Sequence, residues 1–167
     1  MPESVIVNNS LSIDEQYVSF VKQVKALLVK EDNWLSNLSN FTAALKQGFG
    51  KISWAGFYLY DGNRLYLGPF QGKVACTNIE MNKGVCGTAA QRRETVIVPD
   101  VNKFPGHIAC DGNSRSEIVI PLVKNGKLIG LLDLDSAEYN SFDETDEKYL
   151  QELCLFLIDE ILPQNAG

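Results

Sequence analysis

Apolar residues at Ile13, Tyr17, Phe20, Val21, Val24, Leu27 and Leu28 recur with helical period behind Ser12 and Glu15 at capping-box spacing. They predict an amphipathic helix over about residues 13–30. A second helix begins near Asp32 or Asn33, carries Trp34, Leu38, Phe41 and Leu45 on one stripe, and stops at Gly48 and Gly50. The pattern then changes to strand. Residues 52–60 (ISWAGFYLY) are rich in aromatic and apolar side chains, and Asp61-Gly62-Asn63 turns them into a second strand over 64–70. After Gly84, VCGTAAQRR reads as a short helix, 95–98 as a short strand, and 99–113 as a loop punctuated by Pro105-Gly106 and Asp111-Gly112. Strands over 117–124 and 127–136 are joined by Asn125-Gly126, a strong hairpin signal. Ser141 and Glu144 repeat the capping-box spacing, and Tyr149, Leu150, Leu153, Leu157 and Ile161 predict a final helix. Helices, antiparallel strands, then a helix make an α+β fold, with no repeat or linker to divide residues 1–167 into more than one domain.

Side chains alternate across a strand, so Trp54, Tyr58 and Tyr60 share one face of the first strand, and Ala55, Phe57 and Leu59 the other. The first set looks ligand-facing and the second core-facing. In GLLDLDS, Asp133 and Asp135 project from one face while Leu132 and Leu134 enter the other. Acids are depleted in strands, and two so close repel. They mark either a solvent-facing strand end or a pocket, and Glu117 reaches the same face if its strand is the neighbour. Three clustered carboxylates raise at least one pKa, which leaves a protonated donor for a developing negative oxygen and an ionised neighbour for an ammonium.

The net charge of -6 leaves no basic stripe, which argues against nucleic acid or an anionic membrane as partner. No segment approaches the roughly 20 apolar residues of a membrane span, and the first residues lack the pattern of a secretory signal, so a cytoplasmic location is expected. In a reducing compartment the four cysteines are better read as catalytic, metal-binding or buried thiols than as a disulfide framework. Cys110 lies in the most irregular segment, between the single histidine, His107, and Asp111, and reads as a reactive loop thiol or a buried one. Cys86 follows Gly84-Val85 at a helix start, where free N–H groups and the macrodipole lower a thiol pKa; otherwise it is a small core residue. Cys76 is less informative. Cys154, among leucines of the last helix, reads as structural. A zinc site from Cys76, Cys86, His107 and Cys110 lacks the usual paired spacing, so no metal is expected, and GVCGTA is not a phosphate-binding fingerprint.

GKISWAGFYLY, LGPFQGKVACT, GVCGTAA, PDVNKFPGHIACD, SEIVIPL and GLLDLDS, in this order from about Trp34 to Leu157, resemble the motifs of the GAF-domain free methionine-(R)-sulfoxide reductases. The resemblance implies one GAF-like domain with its core over about 34–157. It implies a central antiparallel sheet with helices packed on one face and a ligand pocket on the other. It further implies Cys110 as nucleophile, Cys86 as resolving thiol through a Cys86–Cys110 disulfide, and Cys76 as auxiliary or alternative resolving thiol. Trp54 and Tyr58 are expected at the S-methyl end of the substrate, and Glu117, Asp133 and Asp135 at its polar groups. No bound cofactor is implied; thioredoxin and NADPH supply electrons from outside. Together with the apolar last helix, the resemblance points to a homodimer. The competing reading is a GAF-type small-molecule or redox-sensing module without catalysis.

Overall fold

The computed structural model describes residues 4–107 and 111–164. Helix α1 spans Ile13–Leu27 and opens with the expected capping box, the Ser12 hydroxyl accepting from the Glu15 N–H and the Glu15 carboxylate from the Ser12 N–H. Helix α2, Trp34–Gly48, is capped by Asn33, whose side chain accepts from the Leu35 N–H. The sheet follows with β1 (Trp54–Tyr60), β2 (Arg64–Gln71) and β3 (Asn78–Glu80). After α3 (Gly84–Arg92) and β4 (Val96–Val98), one 3-10 turn at Val101–Lys103 interrupts the long loop. The chain ends with β5 (Ser116–Lys124), β6 (Lys127–Ser136) and α4 (Glu144–Phe156), which continues into a π-helical turn at Leu157–Ile161.

The strands form one six-stranded sheet in the order β3-β2-β1-β6-β5-β4, and every neighbouring pair is antiparallel. The α+β expectation is met. Asn125 and Gly126 both take positive φ, 51° and 76°, the geometry of a tight hairpin turn between β5 and β6.

Alternation then sorts the sheet into two faces. Ala55, Phe57 and Leu59 from β1, Ile118, Ile120 and Leu122 from β5, and Leu132 and Leu134 from β6 join Phe20, Phe41, Leu45 and Leu153 in the large core beneath α1, α2 and α4. Each fully buried side chain of this size contributes roughly 1.5–3 kcal/mol. The other face carries Trp54, Tyr58, Val119 and Leu131, covered by Val85, Cys86, Ala89 and Ala90 of α3. Helices are therefore not confined to one face: α3 forms the roof of the pocket side.

Two local expectations are corrected. The cap of α4 is Asp143, whose carboxylate accepts from the Thr145 and Asp146 N–H groups, while Asp146 returns the bond to the Asp143 N–H. Ser141 instead donates to Ser136 Oγ at 2.7 Å, because it still belongs to the loop folded against β6. Asp146 is buried by this arrangement and also accepts from Tyr17 at 2.5 Å and Lys51 at 2.6 Å, which fastens α1 to the start of α4. The second correction is β3, which the pattern did not predict. Three residues, two of them polar, are too few to show alternation, and the strand exists because β2 offers a free edge at Arg64–Tyr66. Among the described residues no helix is long and apolar enough to cross a membrane.

Candidate functional site

A small cavity of about 50 Å³ lies between the β1-β6-β5 face, the start of α3 and the loops around Val74 and His107. Its floor is fixed by register. Asp133 stands opposite Gly56 on β1 and Val119 on β5, and Asp135 opposite Trp54 and Glu117. The two-residue spacing on β6 therefore brings Glu117, Asp133 and Asp135 to one patch, and all three line the cavity. Glu117 and Asp133 are each 5% exposed, so the solvent-facing strand-end reading does not hold for Asp133.

Burial is the main reason the carboxyl groups here stay protonated above the ordinary range. Glu117 is pushed well up by burial and then by the charges of Asp133 and Asp135. Asp135 is pushed up by burial and Asp133, opposed by a hydrogen bond from Ser114 Oγ at 3.0 Å. Asp133 also rises through burial, held back by hydrogen bonds with Glu117 and Cys86. Its Oδ1 is buried without a hydrogen-bond partner among the described residues. Leaving a buried carboxyl oxygen unpaired costs a few kcal/mol unless a donor or cation arrives.

Cys86 sits in the first turn of α3, as its position after Gly84-Val85 predicts, but the expected lowering of its pKa is reversed. Burial, followed by the charges of Asp133, Glu117 and Asp135, pushes the thiol well up. Helix-terminus effects of about 0.3–1 kcal/mol do not outweigh three nearby carboxyl groups in a dry site. The thiol donates weakly to Glu117 Oε1 at 3.7 Å. Cys86 and Cys154 are free thiols, whereas Cys76 is disulfide-bonded. Cys154 is buried in the core beneath α4, as expected of a structural residue. Cys110 lies outside the described residues.

The aromatic wall is held just as firmly. Trp54 donates from Nε1 to the Lys73 carbonyl at 3.0 Å and stacks on Phe70 and Tyr58 with ring centres 5.4 and 6.1 Å away. The indole lies so close over Gly56 and Gly72 that neither has room for a Cβ, and Gly72 also takes a φ of +133° that disfavours any side chain. Tyr58 donates to the Cys76 carbonyl at 2.9 Å. Burial and the acidic patch raise its pKa, so it remains a protonated donor.

One contributor escaped the sequence reading, Ser114, which orients Asp135; His107, whose pKa burial lowers, and the start of α3, both noted in the sequence, also line the cavity. Lys83 and Gly84 line the cavity, and no side chain caps this helix. Its free N–H groups favour an anion. Nothing in the pattern around Ser114 signals its role, whereas Gly84 ahead of a helical stretch does. Among the described residues, Cys86, Glu117 and Asp133 are the group whose ligand atoms lie close enough together to hold a metal, within 4.8 Å of one another.

The GAF-domain family model matches residues 38–155. The chain belongs to the GAF-domain family. It is 56% identical over 147 residues to GAF domain-containing protein A of Dictyostelium discoideum, covering 87% of this chain and 92% of that one. It is 45% identical over 159 residues to the free methionine-R-sulfoxide reductase of Saccharomyces cerevisiae, covering 90% and 88%. The X-ray structure of free methionine-R-sulfoxide reductase from Neisseria meningitidis in complex with its substrate superimposes with a TM-score of 0.87 at 44% identity, over 90% of this chain and 91% of that one. Within the GAF family the chain therefore belongs with the free methionine-R-sulfoxide reductases.

Proposed function

We propose that this chain is an oxidoreductase that reduces free methionine-R-sulfoxide to methionine. The observation that carries the reading is the pocket where Glu117, Asp133 and Asp135 meet the Trp54–Tyr58 wall, with Asp133 Oδ1 buried and without a hydrogen-bond partner among the described residues. The relatives named for this activity support it. A free amino acid presents an ammonium, a carboxylate and, here, a polar sulfoxide beside an S-methyl group. The unpaired Asp133 oxygen suits the ammonium or a donor, and the uncapped start of α3 suits the carboxylate. Trp54 and Tyr58 meet the methyl group. A methionine within a polypeptide has neither free terminus, so the same contacts select the free amino acid.

The chemistry begins at Cys110, whose thiolate attacks the sulfoxide sulfur while a protonated carboxyl of the Glu117, Asp133 and Asp135 set donates to the sulfoxide oxygen. The oxygen passes to Cys110. Methionine leaves as the two-electron-reduced thioether, and Cys110 becomes a sulfenic acid. A second thiol condenses with it, releasing water and forming a disulfide that a thioredoxin-type dithiol reopens. Of the two candidates for that second thiol, Cys76 is the better supported. It is oxidised in this structure, whereas Cys86 is reduced and its pKa is raised by burial and then by the carboxyl patch. The Tyr58 hydroxyl, bonded to the Cys76 carbonyl, then links the substrate wall to the loop that carries the resolving thiol. Thioredoxin, a cytoplasmic setting and a homodimer belong to this proposal.

The test is thioredoxin-coupled NADPH consumption with free methionine-R-sulfoxide, its S-epimer and a peptide-bound sulfoxide in parallel. Turnover confined to the free R-epimer is expected. Silence on all three, with thioredoxin shown active and the thiols reduced, would move the weight to a sensing module.

A further inference from the structure

Cys86, Glu117 and Asp133 are all buried, and each presents an atom able to bind a metal within 4.8 Å of the other two. In a tetrahedral zinc centre, with zinc–sulfur near 2.3 Å and zinc–oxygen near 2.0 Å, a ligating sulfur and oxygen stand about 3.5 Å apart. Cys86 Sγ and Glu117 Oε1 are 3.7 Å apart. An independent observation points to a ligand as well. Asp133 is 5% exposed, lines the cavity, and keeps Oδ1 buried without a hydrogen-bond partner among the described residues.

We propose that Cys86, Glu117 and Asp133 form a binding site for a divalent cation of the zinc class, with the fourth coordination position open to the pocket. The donor set chooses the class. A thiolate disfavours magnesium and calcium, which take oxygen ligands, while two carboxylates and one sulfur suit borderline cations such as Zn²⁺ or Co²⁺. Binding forms one metal–sulfur and two metal–oxygen bonds. The Cys86 S–H bond breaks, and its proton goes to solvent with any proton held on the Glu117–Asp133 pair. No electrons move. On the reading of the pocket given above, cation and sulfoxide would exclude one another, but the site itself does not rest on that reading.

The experiment is a Co²⁺ titration of the oxidised full-length chain, so that the Cys76 thiol is already consumed. Wild type should take up about one cobalt per chain with thiolate-to-cobalt charge-transfer absorption in the near ultraviolet, bleached by an equivalent of Zn²⁺. Cys154→Ala should keep the absorption and Cys86→Ala should lose it. Glu117→Gln, which preserves shape, should weaken binding about tenfold or more. A wild type without the absorption at tenfold excess cobalt overturns the proposal, as does full absorption in Cys86→Ala or equally good competition by Mg²⁺. If Cys86→Ala does not fold, unchanged affinity in Glu117→Gln overturns it alone. The signal needs no turnover, so a chain that binds cobalt and reduces no sulfoxide keeps the site and removes the reductase reading.

Discussion

Alternate residues of the same strands do opposite things on the two faces of this sheet. Leu132 and Leu134 of β6 are fully buried beneath the helices, where burial alone stabilises them. Asp133, between them, is almost as deeply buried on the other face, with Oδ1 lacking a hydrogen-bond partner among the described residues. One face is explained by folding and the other is not. A buried oxygen without a partner among the described residues, beside two further carboxyl groups, lowers stability unless a donor or cation completes it.

The largest expected effect lies with the proposed nucleophile. Cys110→Ser should lower methionine formation by the pre-reduced chain by about three orders of magnitude or more, read by amino-acid analysis. Retained product would remove Cys110 as nucleophile. Next, the two faces separate in a matched pair. Glu117→Gln should cost about 10²–10⁴ in kcat/KM while leaving the denaturation midpoint unchanged or higher. Leu132→Ala should cost roughly 2–5 kcal/mol of stability yet leave the folded fraction active. The opposite pattern in denaturant titrations and kinetics would break the comparison. Tyr58→Phe keeps the ring and loses the bond to the Cys76 carbonyl. Its first release of methionine should be normal and its thioredoxin-coupled recycling about two- to tenfold slower; equal slowing of both steps would reduce Tyr58 to a wall.

The smallest effect is a slope. The folded-state pKa values of Glu117, Asp133 and Asp135 are raised above their ordinary 4.5 and 3.8. Their contribution to stability is therefore complete below the unfolded carboxyl range and is lost as pH rises through the raised values. The thermal midpoint should fall over that window, and Glu117→Gln should flatten the fall; an unaltered slope would show that Glu117 ionises as it does in the unfolded chain.

What the sequence disclosed follows from the range of each interaction. Ser12 and Glu15 cap a helix using atoms three residues apart, and Asn125-Gly126 closes a hairpin from its own backbone geometry, so both were legible. The alternation of Trp54 and Tyr58 with Ala55 and Phe57 gave the two faces of β1 directly, and Asp133 and Asp135 gave the acidic patch. That Asp143 rather than the expected Ser141 caps α4 depends on the position of β6, with which Ser141 bonds. The direction of the Cys86 pKa needed its burial and then Asp133 and Glu117, which are distant in sequence and adjacent only after β5 and β6 pair. Ser114 becomes visible only through Asp135, and the placing of α3 on the pocket face depends on crossing from β3 to β4 over the sheet.

The most direct test of the pocket face as a reducing site is a single-turnover experiment with fully reduced chain, no thioredoxin, and free methionine-R-sulfoxide or its S-epimer. About one methionine per chain from the R-epimer and essentially none from the S-epimer is predicted. No methionine from either, or equal amounts from both, would contradict the account.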